Sequence, residues 1–340
     1  MNLSFAESGI NVLLGATLAG KTTLLRVIAG LERPTSGRLL VGDRDVTHVP
    51  VRRRNLSMVY QQFINYPSMT VYENIASPLR LARHEEAIVR QRVTALAEKL
   101  HLTPYLERHP AELSGGQQQR TALARALAKD AELVLLDEPL VNLDYKLREE
   151  LREELKGLFA ERHATVVYAT TEPREALQLG GQTAVLGEGR VIQYGPTLEV
   201  FRHPINLAAA RAFSDPPLNE ITASFDASKR EMLLPDGVRI PVNSFAATLL
   251  GDSRDVVLGI RAHQFALESH HSTVAIACRV DLAEISGSET YVHLSRNGTQ
   301  LIAQLPGVHN LTLGEACALH VDPADLYCFE TSGSLVFAPE

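Results

Sequence analysis

The octapeptide Gly15-Ala16-Thr17-Leu18-Ala19-Gly20-Lys21-Thr22 leaves its surroundings little freedom. It fits the spacing G-x-x-x-x-G-K-[ST], and it lies between the apolar run Ile10–Leu14 and the helix-like stretch Thr22–Ile28. Strand, glycine-bounded loop and helix in that order form the context in which this spacing cradles phosphate. Glycine lets the backbone curl until several N–H groups face one anion. The following helix start adds its partial positive charge. On this reading Lys21 reaches the β- and γ-phosphates of a nucleoside triphosphate, the Thr22 hydroxyl holds Mg²⁺, and Thr23 joins the loop residues Gly15 to Thr22 in binding the nucleotide.

A chain of 340 residues exceeds what one core usually supports, so two domains are expected. Up to about residue 220, strand-like and helix-like runs alternate. Leu133–Leu136 and Thr165–Ala169 are further buried strands, which predicts a mostly parallel α/β sheet covered on both faces. Between Val71 and Leu113, Val89, Val93, Leu96 and Leu100 recur at helical spacing, marking a helical insert over about 72–125. Leu143, Leu147, Leu151, Leu155 and Leu158 mark another scaffold helix. Past Pro216-Pro217 the texture changes to short alternating segments, Val256–Ile260, Thr290–Leu294 and Leu301–Leu305, punctuated by Gly, Pro, Asn and Ser. Residues 221–340 therefore read as a small all-β domain.

Two further motifs carry chemistry. Leu133–Leu136 delivers Asp137 and Glu138 at its C-terminal end, where ligands sit in open α/β sheets. Asp137 suits Mg²⁺, and Glu138 suits a base that polarises an attacking water. Leu113-Ser114-Gly115-Gly116-Gln117 opens a helix with a serine and two glycines and so forms a second anion site. Two phosphate sites far apart in one chain suggest a sandwich in which each subunit's second site covers its neighbour's nucleotide.

With these motifs the chain resembles the nucleotide-binding subunits of ABC transporters, most of all the sugar- and glycerol-type importer ATPases, over essentially its whole length. The resemblance implies a P-loop NTPase domain followed by an oligomer-binding-type regulatory β-domain, joined near Asp215-Pro216-Pro217-Leu218-Asn219. Gly259-Ile260-Arg261, Gly287–Thr290 and Val321-Asp322-Pro323 are similar to segments of that β-domain. It implies ATP and Mg²⁺ as ligands, Gln61 as the loop glutamine that contacts Mg²⁺ and senses the γ-phosphate, and Asn142-Leu143-Asp144 as the loop that crosses the dimer interface. Asn65-Tyr66-Pro67 and Val71-Tyr72-Glu73-Asn74 resemble the groove that receives a helix of the membrane subunit. The implied partners are a second ATPase subunit, two transmembrane permease subunits and, indirectly, a substrate-binding protein. The implied location is the cytoplasmic face of the inner membrane.

The chain departs from the family twice. Thr171, in Tyr168-Ala169-Thr170-Thr171-Glu172-Pro173-Arg174-Glu175, stands where the family carries a switch histidine. Threonine is shorter and cannot carry charge. The expectation is a weakened site on this chain's own phosphate loop and a heterodimer with a histidine-bearing ATPase. Two alternatives stay open: a homodimer in which Thr171 or a water suffices, and a partner that binds ATP without hydrolysing it. Thr-Glu-Pro-x-Glu-Ala together with Gln61–Pro67 resembles one ATPase of two-ATPase glycerol importers, so glycerol or a related polyol is the first solute and glycerol 3-phosphate or a sugar the second. The second departure is at the N-terminus. Only a short strand, Leu3–Ala6, is expected before the phosphate-loop strand, and the family's first strand with its adenine-stacking aromatic has no counterpart. Phe5 is expected to pack inward.

The net charge of −7 excludes a whole-chain basic field for nucleic acid, and Arg52-Arg53-Arg54 reads as a solvated edge. No apolar run is long enough to span a bilayer, and no signal peptide is visible. Cys278, Cys317 and Cys328 lack zinc or disulfide spacing and read as buried thiols, and His270-His271 reads as a solvated loop.

Overall fold

Strands that are apolar on both faces need cover on both faces, and helices supply it. The computed structural model describes residues 1–62, 64–141, 143–160, 164–269 and 272–339. Phe63, Asn142, and the pair His270-His271 lie outside the described residues. The chain divides into two compact units, Met1–Thr197 and Leu198–Glu340.

The first unit runs β1 (Ile10–Leu14), α1 (Lys21–Ala29), β2 (Leu40–Val41), β3 (Arg44–Asp45), β4 (Leu56–Val59), α2 (Val71–Leu81), α3 (Glu86–Lys99), α4 (Gly115–Ala128), β5 (Leu133–Asp137), α5 (Tyr145–Ala160), β6 (Thr165–Thr170), α6 (Pro173–Leu179), β7 (Gln182–Gly187) and β8 (Arg190–Pro196). Its main sheet has the order β4-β5-β6-β1-β7-β8. Neighbours are parallel from β4 through β7, and only β8 runs antiparallel. The register pairs Leu14 with Thr170 and Asp137 with Ala169. The phosphate loop, the acidic pair and Thr171 therefore leave one edge of the sheet side by side.

Local chemistry explains the elements around this edge. Thr70 and Glu73 form a capping box that starts α2, each side chain meeting the other's backbone N–H. Val89, Val93, Leu96 and Leu100 are all buried, as their spacing predicts. Gly181 carries φ +72°, and a Cβ there would lie 2.3 Å from the Ile10 carbonyl oxygen, so only glycine lets β7 enter beside β1.

Two expectations are corrected here. Leu3–Ala6 forms no strand. Its Ala6 N–H donates instead to the Asn11 side chain at 2.9 Å and to the Tyr194 hydroxyl at 3.0 Å, while Leu3 and Phe5 do pack inward on the core. Arg54 is not part of a solvated edge. Its guanidinium donates to the carbonyls of Val49 and Val46 at 2.8 Å and of Ile28 at 2.6 Å, pinning the end of α1 to the preceding loop. A Cβ on Gly30 would strike that guanidinium at 2.6 Å, so the glycine makes room for the clamp. Arg52 and Arg53 are exposed, as expected.

The second unit opens with α7 (Thr197–Arg202) and α8 (Leu207–Ala212) and continues with β9 (Asn219–Asp226), β10 (Glu231–Leu233), β11 (Arg239–Pro241), α9 (Ser244–Leu250), β12 (Arg254–Ile260), β13 (Val274–Ile285), β14 (Glu289–Arg296), β15 (Thr299–Pro306), β16 (Ala316–Val321), β17 (Tyr327–Glu330) and β18 (Leu335–Phe337). Two antiparallel sheets, β11-β10-β9-β12-β17-β18 and β15-β14-β13-β16, share one apolar core. β14 alternates without a break, with Thr290, Val292, Leu294 and Arg296 turned inward.

The division falls ahead of the expected boundary at residue 220, and Arg261 gives the reason. This buried side chain donates to the carbonyls of Phe213 at 3.1 Å and Phe201 at 2.9 Å and stacks on the Phe201 ring at 4.0 Å. The helices before the β strands thus belong to the β unit. Cys278 and Cys328 are buried and Cys317 half-buried, and all three are free thiols. Burial pushes the Cys278 thiol up to about 11 and that of Cys328 up to about 12, so both are protonated and inert.

Candidate functional site

The phosphate loop links β1 to α1. Gly15 is buried against β7, and a Cβ there would lie 2.4 Å from the Leu186 carbonyl oxygen. Ala16, Thr17 and Leu18 are exposed, and Ala19 is buried. Gly20 caps α1 with φ +102°, and among the described residues no side-chain cap bonds the first turn. Those donors remain open to an anion. Leu18 holds φ +69° while almost fully exposed, a conformation that costs a bulky residue roughly 1–2 kcal/mol. The motif spacing left that position free and gave no sign of the strain.

Lys21 is buried, and its ammonium donates to Gly15 O at 2.7 Å and Ala16 O at 3.1 Å and pairs with Glu138 at 3.5 Å. Burial lowers its pKa, and the Glu138 carboxylate opposes that shift. Thr22 donates to the Asp137 carboxylate at 3.0 Å. Burial raises the Asp137 pKa, with the Thr22 hydrogen bond opposing. Gln61 donates to the other Glu138 oxygen at 2.9 Å. Glu138 itself holds φ +47°, a strained backbone of the kind found at reacting sites. Its N–H donates to Ala169 O at 3.0 Å, tying it to β6, the strand that Thr171 follows.

Residues separated by up to 117 positions thus converge: Lys21, Thr22, Gln61, Asp137 and Glu138 form one connected polar cluster. Thr171 lies beside it and lines a small recess with Glu138, Val141, Thr170, Glu172 and Glu175. Thr22 and Asp137 offer hard oxygen donors, the set that Mg²⁺ prefers. Among the described residues no group of three or more His, Cys, Asp or Glu side chains forms a separate metal cage.

Ser114–Gln117 stands apart from this cluster. Ser114 caps α4 in a capping box: its hydroxyl accepts from Gln117 N at 3.4 Å, and Gln117 Oε1 accepts from Ser114 N at 3.0 Å. Gly116 packs so closely that a Cβ would meet Leu143 and Leu147 methyl carbons at 3.1 and 3.2 Å. Asp144 is exposed and caps the start of α5 through Leu147 N at 3.0 Å. No hydrogen bond or ion pair among the described residues joins the Ser114 turn to the phosphate loop.

Of the groove residues, Val71 and Asn74 are fully buried, which corrects their expected place on a docking surface. Asn74 instead bonds the backbone of Tyr66, Met69 and Thr70, and so shapes the loop. Ile64, Tyr66 and Met69 are the exposed apolar residues there, and Arg125 lies 4.5 Å above the Tyr66 ring.

A parallel sheet with a phosphate loop, an acidic strand end and a loop glutamine at one edge defines a P-loop nucleoside triphosphatase. The ABC transporter family profile matches residues 1–141, and the TOBE domain profile matches residues 258–329. The chain is 34% identical over 339 residues to the sn-glycerol-3-phosphate import ATP-binding protein UgpC of Yersinia pestis, covering 100% of this chain and 94% of that one. It is 33% identical over 336 residues to the ABC transporter ATP-binding protein YcjV of Escherichia coli (strain K12), covering 97% and 91%. The solved dimeric, post-hydrolysis structure of the ATP-binding cassette MJ0796 with ADP and Pi is 30% identical, with a TM-score of 0.53 over 58% of this chain and 88% of that one. The chain belongs to the ABC transporter ATP-binding subunits of the carbohydrate and glycerol importer type. It is an ATP-binding subunit of an ABC importer, in a family that couples ATP hydrolysis to import through transmembrane permease partners and a substrate-binding protein. Among the described residues no helix is long and apolar enough to cross a membrane.

Proposed function

We propose that this chain drives import of glycerol, a related polyol or its phosphate from the cytoplasmic face of the inner membrane, and that its own phosphate loop carries a weakened hydrolytic site. The name of the UgpC relative supports glycerol 3-phosphate, the second of the two expected solutes. The observation that carries the weakened site is Thr171 in the recess beside Glu138.

ATP binds with its phosphates against the loop Gly15–Thr22 and the open N-terminus of α1. Lys21 exchanges its carbonyl and Glu138 contacts for the β- and γ-phosphates. Thr22, Asp137 and Gln61 would hold Mg²⁺, which would neutralise charge on the phosphate oxygens. Glu138 accepts a hydrogen bond from the attacking water and Thr171 faces the γ-phosphate. Ser114, Gly115 and Gly116 of the neighbouring ATP-binding chain complete the pocket, and Asp144 lies at that interface. Closure of the pair moves the permeases, whose contact is the exposed Ile64, Tyr66 and Met69 surface.

A threonine leaves one charge-stabilising contact unmade, worth on the order of 10²–10³ in rate. Its neighbour then does most of the hydrolysis behind this chain's intact Ser114 turn, which favours a pair of different ATPases over two copies. Thr171→His is expected to raise ATP turnover of the assembled transporter at least several-fold. Unchanged turnover would point to an unimpaired site and a homodimer. Glu138→Gln should lower turnover by about 10-fold or less if this site hydrolyses slowly, and by a factor on the order of 10²–10³ if both sites are copies of this one. No effect at all would assign the chain a purely nucleotide-binding role.

A further inference from the structure

We infer that Arg148 is a positioning residue that ties Val141, Leu143 and Asp144 to the segment carrying Thr171. The inference rests on the reading above that Asp144 lies at the subunit interface and Thr171 at the γ-phosphate.

The geometry comes from one guanidinium used in two directions. Arg148 stands in the first turn of α5, and its backbone N–H donates to Asp144 O at 2.9 Å. Its Nη2 donates to Val141 O and Leu143 O, each at 3.4 Å. Its Nη1 pairs with the Glu172 carboxylate. The arginine side chain is four-fifths covered, with 20% exposure against 37% for Glu172, so the pair is screened less than a surface ion pair.

Both ends of this bridge reach the reacting edge. Val141 and Glu172 line the recess that also holds Glu138 and Thr171. Glu172 is held in turn by its N–H to Thr170 Oγ1 at 3.0 Å, and Thr170 donates to the buried Glu175 at 2.6 Å. On the other side, Leu143 packs on Gly116 of the Ser114 turn. A shift of the interface loop therefore moves Arg148, and through Glu172 it moves the residue next to the switch position. A planar fork does this better than a point charge, because the Nη1 and Nη2 donors of arginine are held apart in fixed directions, one toward the carboxylate and one toward the carbonyls.

The test is a double-mutant cycle on the assembled transporter with Arg148→Ala, Glu172→Ala and both together, reading ATP turnover, KM for ATP and thermal midpoint. Each single change is expected to lower turnover measurably but by no more than Glu138→Gln does, with KM within about two-fold, and the double variant to be no slower than the slower single. Arg148→Lys is expected to recover only part of the loss. Losses that multiply, singles that leave turnover unchanged, or a loss matched by an equivalent fall in thermal midpoint would overturn the inference. Ser114→Arg in the same assay separates the two claims. If it leaves turnover intact, the composite-site reading has failed. If it abolishes turnover while the cycle is multiplicative, only the role of Arg148 has failed.

Discussion

Solute uptake falls to background when Lys21→Ala and Ser114→Arg are introduced together. The first change removes the cation proposed to meet the triphosphate. In the present structure that ammonium is buried and satisfied by Gly15 O, Ala16 O and Glu138, so the loop is already shaped around it. The second change costs the cap of α4 about 1 kcal/mol and sets a long side chain on the turn that would cover the neighbour's nucleotide. Losing preorganised charge at a phosphoryl-transfer site lowers turnover on the order of 100-fold or more. Radiolabelled solute uptake and ATP turnover in proteoliposomes measure the effect, and circular dichroism checks that the fold survives. Uptake at the unmodified rate would remove the basis for the composite site.

The second large effect is on stability. Gly181→Ala is expected to destabilise the N-terminal unit by roughly 3–5 kcal/mol, from the cost of a left-handed backbone for alanine and the overlap with Ile10 O. The glycine also presents its carbonyl to Thr197 N at 3.0 Å, so the turn cannot relax without loosening the end of β8. For a unit of this size the thermal midpoint should drop by about 10 °C. Gly180→Ala is the comparison, since a Cβ at Gly180 meets nothing within 4 Å and its cost comes only from the backbone, at φ +69° and ψ −148°. Equal midpoints for the two variants would show that the Ile10 contact does not matter.

The phosphate loop, the acidic strand end and the Ser114 turn were legible because each is a short contiguous pattern whose chemistry depends on spacing. The buried strands were legible for the same reason, and Leu13, Val134 to Leu136 and Val167 lie where the apolar runs put them. What escaped is what depends on long side chains and distant backbone. Arg54 sits in a basic triplet that looks solvated, and only the fold brings the carbonyls of Ile28 and Val46 to its guanidinium. Leu3–Ala6 alternates like a strand, but a strand also needs a neighbouring backbone. Val71 and Asn74 fall inside a helix whose first turn faces the core, which no motif records. The joining of 198–214 to the β unit depends on Arg261, a residue some fifty positions further along.

That arginine has a practical corollary for anyone wishing to study the halves separately. Severing the gene after residue 220 would strand a guanidinium in an oily interior without the peptide oxygens of Phe201 and Phe213 that quench its charge. It would also leave the catalytic fragment trailing two orphan helices with an aromatic face. Scission after Thr197 keeps Arg261 with the carbonyls of Phe201 and Phe213, and is where separately folding pieces should be sought.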